Sequence, residues 1–366
     1  MSRTRIAAFR VLRHRTLALL AGAAFAFGGA AATWAQTASQ GAPLKVVATF
    51  SVLGDMVHEV GGEHVQLTTI VGPNGDAHTF EPTPKDVKAL AQADVLVLNG
   101  LDFEGWLPRL LKASGFKGTQ VLASQGVTVR TLEAGEFFAG QGRHGHDDAS
   151  HAGHSHDHGT HTPHDHAKSS AGHDHEDHDE DDHHHNVGDV DPHAWQDLSN
   201  GVLYARNIAE GLALADPTHA NYYRKRVDLY VTQMQKLDAE IKNAFKDIPT
   251  ARRTIITSHD AFGYFGRAYG LRFISVAGFS SEAEPTARDV AAIIDLARKK
   301  HVAGIFVENI TNAKLIEQIA REAKAKVGGT LYSDALAPEG QPAGTYLGMF
   351  SWNAGQLINI LKPSAQ

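Results

Sequence analysis

Between Arg143 and His185 the chain carries fifteen of its twenty-three histidines, interleaved with Asp, Glu, Gly and Ser and almost nothing apolar. No side chain in that stretch repays the entropy of ordering it, so the tract cannot form part of a core. Any fold must be assembled from the sequence on either side. The tract is internal, long and irregular, which argues against an affinity tag. Neutral imidazole is a standard ligand for Zn, Cu and Ni, so metal handling becomes the question to put to the flanks. Residues 141–189 read as a His/Asp-rich disordered loop. Either the tract only solvates, or its histidines serve as an auxiliary, low-affinity metal-binding set: His144, His146, His151, His154, His156, His158, His161, His164, His166, His173, His175, His178, His183, His184 and His185.

Both flanks alternate strand and helix, the pattern of parallel α/β sheets. In the first, apolar runs at 44–50, 65–71, 94–99 and 120–122 read as strands. Helices are expected at 51–60, with Ser51 as cap, at 84–92 behind Thr83-Pro84, and at 103–114. After the tract a helix spans 198–214 and a longer one starts at Asp216-Pro217. The long helix places Tyr223, Val227, Tyr230, Met234, Leu237, Ile241 and Phe245 three or four residues apart. That spacing makes one continuous apolar stripe. At 1.5 Å per residue such a helix reaches about 40 Å, enough to serve as a spine for two lobes. The alternation then restarts, with strands at 254–258, 273–276, 302–308 and 326–332. Helices fall at 261–269, 286–300, 313–325 and from about 344. The expected organisation is a leader at 1–35, an N-terminal α/β lobe at 44–140, the tract, a segment of linking helices at 190–247, and a C-terminal α/β lobe at 248–366.

Arg3, Arg5, Arg10, Arg13 and Arg15 precede a short apolar run at 17–32 and the small-residue site Thr33-Trp34-Ala35. This reads as a cleavable secretory signal, too short and too rich in Ala and Gly for a membrane span. The chain contains no cysteine, which excludes disulfides, thiolate ligands and a lipid-modified N-terminal Cys. A soluble periplasmic protein without a lipid anchor is expected. Loss of the five leader arginines takes the formal charge from −7 to −12, and the tract holds −9 of that. The folded remainder, near −3, gives no reason to expect nucleic acid or an anionic membrane as partner.

Seven histidines lie outside leader and tract: His58, His64, His78, His193, His219, His259 and His301. His78 and His259 follow strands, and His193 sits in a Pro-anchored turn. Loops at the carboxyl ends of parallel strands converge on the ligand crevice of an α/β protein. Asp334 has the same placement. Three imidazoles and a carboxylate make a four-coordinate set suited to Zn²⁺. Glu308, at a strand end, is either a carboxylate orienting an imidazole or a surface residue. His58, His64, His219 and His301 lack convergent context and read as ordinary surface or interface histidines, and Trp195 and Phe80 as packing near the site.

Four motifs carry a family resemblance. Gly75-Asp76-Ala77-His78-Thr79-Phe80-Glu81-Pro82-Thr83-Pro84-Lys85-Asp86 resembles the first ligand motif of the ZnuA-like solute-binding proteins of zinc ABC transporters. Asp191-Pro192-His193-Ala194-Trp195 is similar to the second, Ser258-His259-Asp260-Ala261-Phe262-Gly263-Tyr264 to the third, and Tyr332-Ser333-Asp334-Ala335-Leu336 to the fourth. The resemblance implies two α/β lobes joined by a long rigid helix, with metal between them and His78, His193, His259 and Asp334 as ligands. Manganese-type relatives tend to have Glu at the third position, where this chain has His259. Some zinc-type members carry an acidic residue beside the first ligand. Here that neighbour is Ala77, so the fourth position falls to Asp334 or a water. The function implied is capture of Zn²⁺ in the periplasm and delivery to an inner-membrane ABC permease, by a monomer that does not itself span the membrane. A periplasmic zinc chaperone is a further partner in this scheme, and the tract would capture, buffer or sense zinc. The rival classes are a zinc buffer or adhesin-like protein and a secreted zinc hydrolase. Neither HExxH nor GxSxG is present, and four protein ligands leave no open position for water, so no catalytic residue is expected.

Overall fold

The computed structural model describes residues 42–131, 189–278, 286–300 and 302–362. The expected leader, the His-rich tract as far as residue 188, and His301 lie outside them. The first lobe opens with strand β1 (Leu44–Phe50), helix α1 (Ser51–Gly61) and strand β2 (Val65–Val71). Helix α2 (Pro84–Ala91), strand β3 (Val95–Leu98), helix α3 (Leu107–Ser114) and strand β4 (Thr119–Leu122) complete it. The four strands form a parallel sheet in the order β2-β1-β3-β4, with Leu44 opposite Val65 and Val46 opposite Val95. Strand β1 is central and buried from Val46 through Phe50, as expected of a strand covered on both faces. A capping box between Thr83 and Asp86 starts α2, with Pro84 in its first turn.

Helix α4 (Leu198–Ala215) and helix α5 (Ala220–Lys246) follow, and α5 is the spine. At 1.5 Å per residue it spans about 40 Å. Its stripe Tyr223, Val227, Tyr230, Met234, Ile241 and Phe245 is buried and Leu237 partly so. The helix packs on α1 of the first lobe and on two helices of the second, α6 (Gly263–Tyr269) and α9 (Tyr346–Leu361). The second lobe holds strand β5 (Thr254–Thr257), α6, strand β6 (Arg272–Ser275), helix α7 (Ala287–Lys300), strand β7 (Gly304–Ile305), helix α8 (Ala313–Ala323) and α9. Its sheet is parallel in the order β6-β5-β7. One apolar core runs from β1 through α4 and α5 to Phe265, Phe306 and Phe350, and a smaller one fills the space between the second sheet and α7 and α8. Among the described residues no helix is long and apolar enough to cross a membrane.

Several elements differ from expectation for local reasons. Ser51 does not cap α1; its Oγ accepts the Leu336 N–H at 2.9 Å from the other lobe. The spine starts at Ala220, after a 3₁₀ turn at Pro217–His219. Asp216 there accepts from Tyr223 Oη at 2.8 Å and lies 2.6 Å from Nδ1 of His219, side-chain bonding that competes with helix. The expected last strand is reduced to isolated parallel bridges, Ile305 with Val327 and Glu308 with Leu331.

Candidate metal centre

His78 stands on the loop after β2, where Asp76 Oδ1 accepts its backbone N–H at 2.9 Å and the Trp106 indole donates to the Ala77 carbonyl at 2.9 Å. The Phe103 ring meets the His78 ring edge-on, centroids 4.8 Å apart. His193 lies in the turn before α4, and Asn99 Nδ2 donates to the neighbouring Pro192 carbonyl at 3.0 Å. His259 follows β5. Asp334 follows the bridged segment at Leu331, and the carbonyl before it, that of Ser333, accepts from Trp195 Nε1 at 3.0 Å and Gln196 Nε2 at 2.6 Å. Those two bonds tie the second candidate segment to the fourth.

The four side chains converge. Each offers one ligand atom, and those atoms lie within 4.8 Å of one another. His78 Nε2 is 3.4 Å from His193 Nε2 and 3.2 Å from Asp334 Oδ2. His259 Nε2 is 3.0 Å from Asp334 Oδ2, and His193 Nε2 is 3.5 Å from Asp334 Oδ1. His193, His259 and Asp334 are fully buried, and the His78 side chain keeps 8% of its surface exposed.

The far side of two imidazoles is held by carboxylates. Asp191 Oδ1 sits 2.9 Å from His193 Nδ1 and also accepts the His193 backbone N–H at 3.0 Å. Glu308 Oε1 accepts from the backbone N–H groups of Ser258 and His259, at 2.9 and 3.0 Å. Its Oε2 lies 2.7 Å from His259 Nδ1, a close ion-pair contact without hydrogen-bond alignment. Such partners orient the ring so that Nε2 faces the cluster.

Burial alone would lower the His193 pKa, but Asp334 and Asp191 outweigh it and raise it to about 9. The same contest, with Glu308 and Asp334 prevailing over burial, holds His259 well above the ordinary imidazole range. Burial would raise Asp334, yet the two imidazoles hold it well below the usual carboxylate range. In the metal-free cluster the buried Asp334 carboxylate thus favours the protonated form of two imidazoles, His193 and His259. Asp334 Oδ1 has no hydrogen-bond partner although it is buried. A buried acceptor without a donor, facing imidazole nitrogens 3–4 Å away, fits a shared cation.

The structure thus brings together the four residues singled out in the sequence. Glu308 is buried against His259, not on the surface. Phe80 packs on Trp106 and Trp195 lies 5.3 Å from His193, both near the cluster. His58 is exposed, whereas His64 stacks on His219 with centroids 3.8 Å apart, a pairing the sequence did not reveal. Asp191 belongs to the second motif, whose sequence gives it no role of its own. Arg130, which reaches it, and Phe103 carried no sequence signal beyond hydrophobicity or charge.

Two parallel α/β lobes on one spine, with a buried His₃Asp cluster where their strand ends meet, define a two-lobed metal-binding protein of the solute-binding class. Residues 46–360 match the family described as ZnuA, zinc-uptake complex component A, periplasmic, and the chain belongs to that family. It is 29% identical to the metal ABC transporter substrate-binding lipoprotein FimA of Streptococcus parasanguinis, over 92% of this chain and 96% of that protein. It is also 29% identical to the manganese ABC transporter substrate-binding lipoprotein PsaA of Streptococcus pneumoniae, over 87% and 89%. Among solved structures, the periplasmic zinc binding protein TroA from Treponema pallidum shares the fold, with a TM-score of 0.70 and 24% identity over 88% of this chain and all of that one.

Proposed function

We propose that His78, His193, His259 and Asp334 bind one Zn²⁺ as cargo, and that the chain delivers it to an inner-membrane ABC permease. The observation that carries this reading is the convergence of four donor atoms within 4.8 Å, three of them on buried residues, from four segments distant in sequence. Three nitrogen donors and one oxygen favour Zn²⁺ over the harder Mn²⁺. The names of the relatives support the transporter role, and the family description supports zinc. A relative named for manganese supports a second reading, in which Mn²⁺ is the cargo.

Four protein ligands fill a tetrahedral site and leave no position for an activated water, which supports binding over hydrolysis. The relatives named above are lipoproteins. This sequence has no cysteine to take a lipid, which favours a soluble periplasmic form released from a cleaved leader. We take it to act as a monomer, with a periplasmic zinc chaperone as a further partner and the tract as auxiliary zinc capture.

The test is equilibrium dialysis with elemental analysis, in Zn²⁺, in Mn²⁺ and in both. One tight zinc that is lost in His78→Ala, His193→Ala, His259→Ala and Asp334→Ala is the expected result. Manganese retained in preference to zinc would favour the second reading, and unchanged binding in all four variants would overturn both.

A further inference from the structure

Arg130 and Asp191 stand at the two ends of the segment outside the described residues, and the chain closes on itself there. Thr131 and Val190 form an antiparallel bridge, and the Asp191 N–H donates to the Arg130 carbonyl at 2.9 Å. The side chains repeat the connection. Arg130 Nη1 donates to Asp191 Oδ2 at 2.6 Å, and both residues are buried. The other oxygen of Asp191 is the one that meets His193 Nδ1.

The carboxylate is therefore held on both sides, with guanidinium on one oxygen and imidazole on the other. A carboxylate with a single partner can rotate about its Cβ–Cγ bond, whereas one gripped at both oxygens fixes the plane of the ring it contacts. The second lobe contributes as well. Tyr264 Oη accepts the Arg130 N–H at 2.8 Å and lies 3.4 Å from the Asp191 carbonyl. The guanidinium fills the space beside Gly263, the first residue of α6. A Cβ built there would come within 2.2 Å of Arg130 Cζ and Nη1. Its backbone is outside the left-handed region, so the missing side chain answers to Arg130 and not to a turn.

We infer that Arg130 is a positioning residue of the metal centre, acting through Asp191 to aim His193 Nε2 at the cation, with Gly263 as the space that lets it do so. This rests on His193 being a ligand. A carboxylate behind a ligating imidazole is worth about ten- to a hundredfold in metal affinity, and a residue that holds it should contribute within that range.

The experiment uses the full chain. Zinc is titrated against a chromophoric chelator, and the visible absorption of the Co²⁺-loaded protein reports ligand geometry. Arg130→Gln and Gly263→Ala should each weaken tight zinc by about ten- to a hundredfold and shift the Co²⁺ bands, and Arg130→Lys should recover part of both. Gly263→Ala leaves every charged group in place, so it decides the matter if Arg130→Gln does not fold. Wild-type affinity and an unchanged Co²⁺ spectrum in Gly263→Ala and in any Arg130→Gln that folds, whatever their thermal stability, would show that Arg130 only braces the fold. The His193→Ala control separates the two levels. If it loses zinc while the others do not, this inference fails alone; if it too binds normally, the ligand assignment fails beneath it.

Discussion

The metal-free protein should lose stability as the pH rises from 6.5 to 9, and zinc should abolish the loss. In the metal-free cluster Asp334 and Asp191 prevail over burial to raise the His193 pKa to about 9, against 6.5 for a free imidazole. A histidine whose folded pKa lies above its unfolded value contributes stability that is complete below the unfolded pKa and lost as pH rises through the folded one. A difference of about 2.5 units corresponds to roughly 3 kcal/mol from His193 alone. His259 is raised as well and acts in the same direction. Zinc requires neutral imidazoles, so its binding releases these protons. At pH 7, about two units below the His193 value, the proton weakens zinc roughly a hundredfold relative to alkaline solution. The assay is urea unfolding in the presence of a chelator at pH 6.5, 8 and 9.5, repeated with zinc, and compared with Asp334→Asn. That variant removes the strongest group holding the His193 proton, so its metal-free stability should vary less with pH. Equal slopes in wild type and Asp334→Asn would refute the reasoning.

Further expectations concern regions outside the cluster. Deleting 143–185 should leave one tight zinc by elemental analysis and remove only weaker equivalents, because none of the four candidate ligands lies there; loss of tight binding would sink the site. His219→Ala should leave zinc affinity unchanged, since His219 pairs with Asp216 and stacks on His64 away from the cluster. Asp55 is pushed up to about 6, chiefly by burial and further by Glu59, against the Tyr346 N–H that it accepts at 2.8 Å. A raised acid favours the folded state while protonated, so stability falls as pH climbs from about 4 to 6, by roughly 3 kcal/mol. Asp55→Asn, whose amide oxygen can still accept that N–H, should flatten this part of the unfolding curve.

The parts of the fold legible from sequence are those set by local pattern. The fully apolar run at β1, the Thr83-Pro84 start of α2 and the spine's stripe each follow from side chains a few residues apart. Convergence of His78, His259 and Asp334 was legible because parallel strands deliver their trailing loops to one edge, whereas His193, in a turn before α4, was placed only by its motif. What escaped is set by partners distant in sequence. Ser51 looks like a cap until Leu336 is seen to claim it. Arg130 is an unremarked charge until Asp191, 61 residues on, is placed beside it. The last expected strand has the right composition, but only single bridges join it to the sheet.

On the proposed ligand set, metal preference should not switch by a change at one position. The family resemblance implies Glu at the position of His259 in manganese-type members. Here, however, the position lies between two carboxylates: Asp334 is 3.0 Å from Nε2 and Glu308 is 2.7 Å from Nδ1. His259→Glu would set a third negative charge among them. Unit charges about 4 Å apart repel by roughly 4 kcal/mol at an effective dielectric near 20, enough to keep one of the three carboxyls protonated and so a poor ligand. Histidine suits the place because one ring faces Asp334 with one nitrogen and Glu308 with the other. The single variant should therefore lose zinc without gaining manganese. His259→Glu combined with Glu308→Gln removes the repulsion and should move the preference toward Mn²⁺, measured by competition dialysis with elemental analysis. Tight manganese in the single variant would mean that Glu308 is not the constraint on this position.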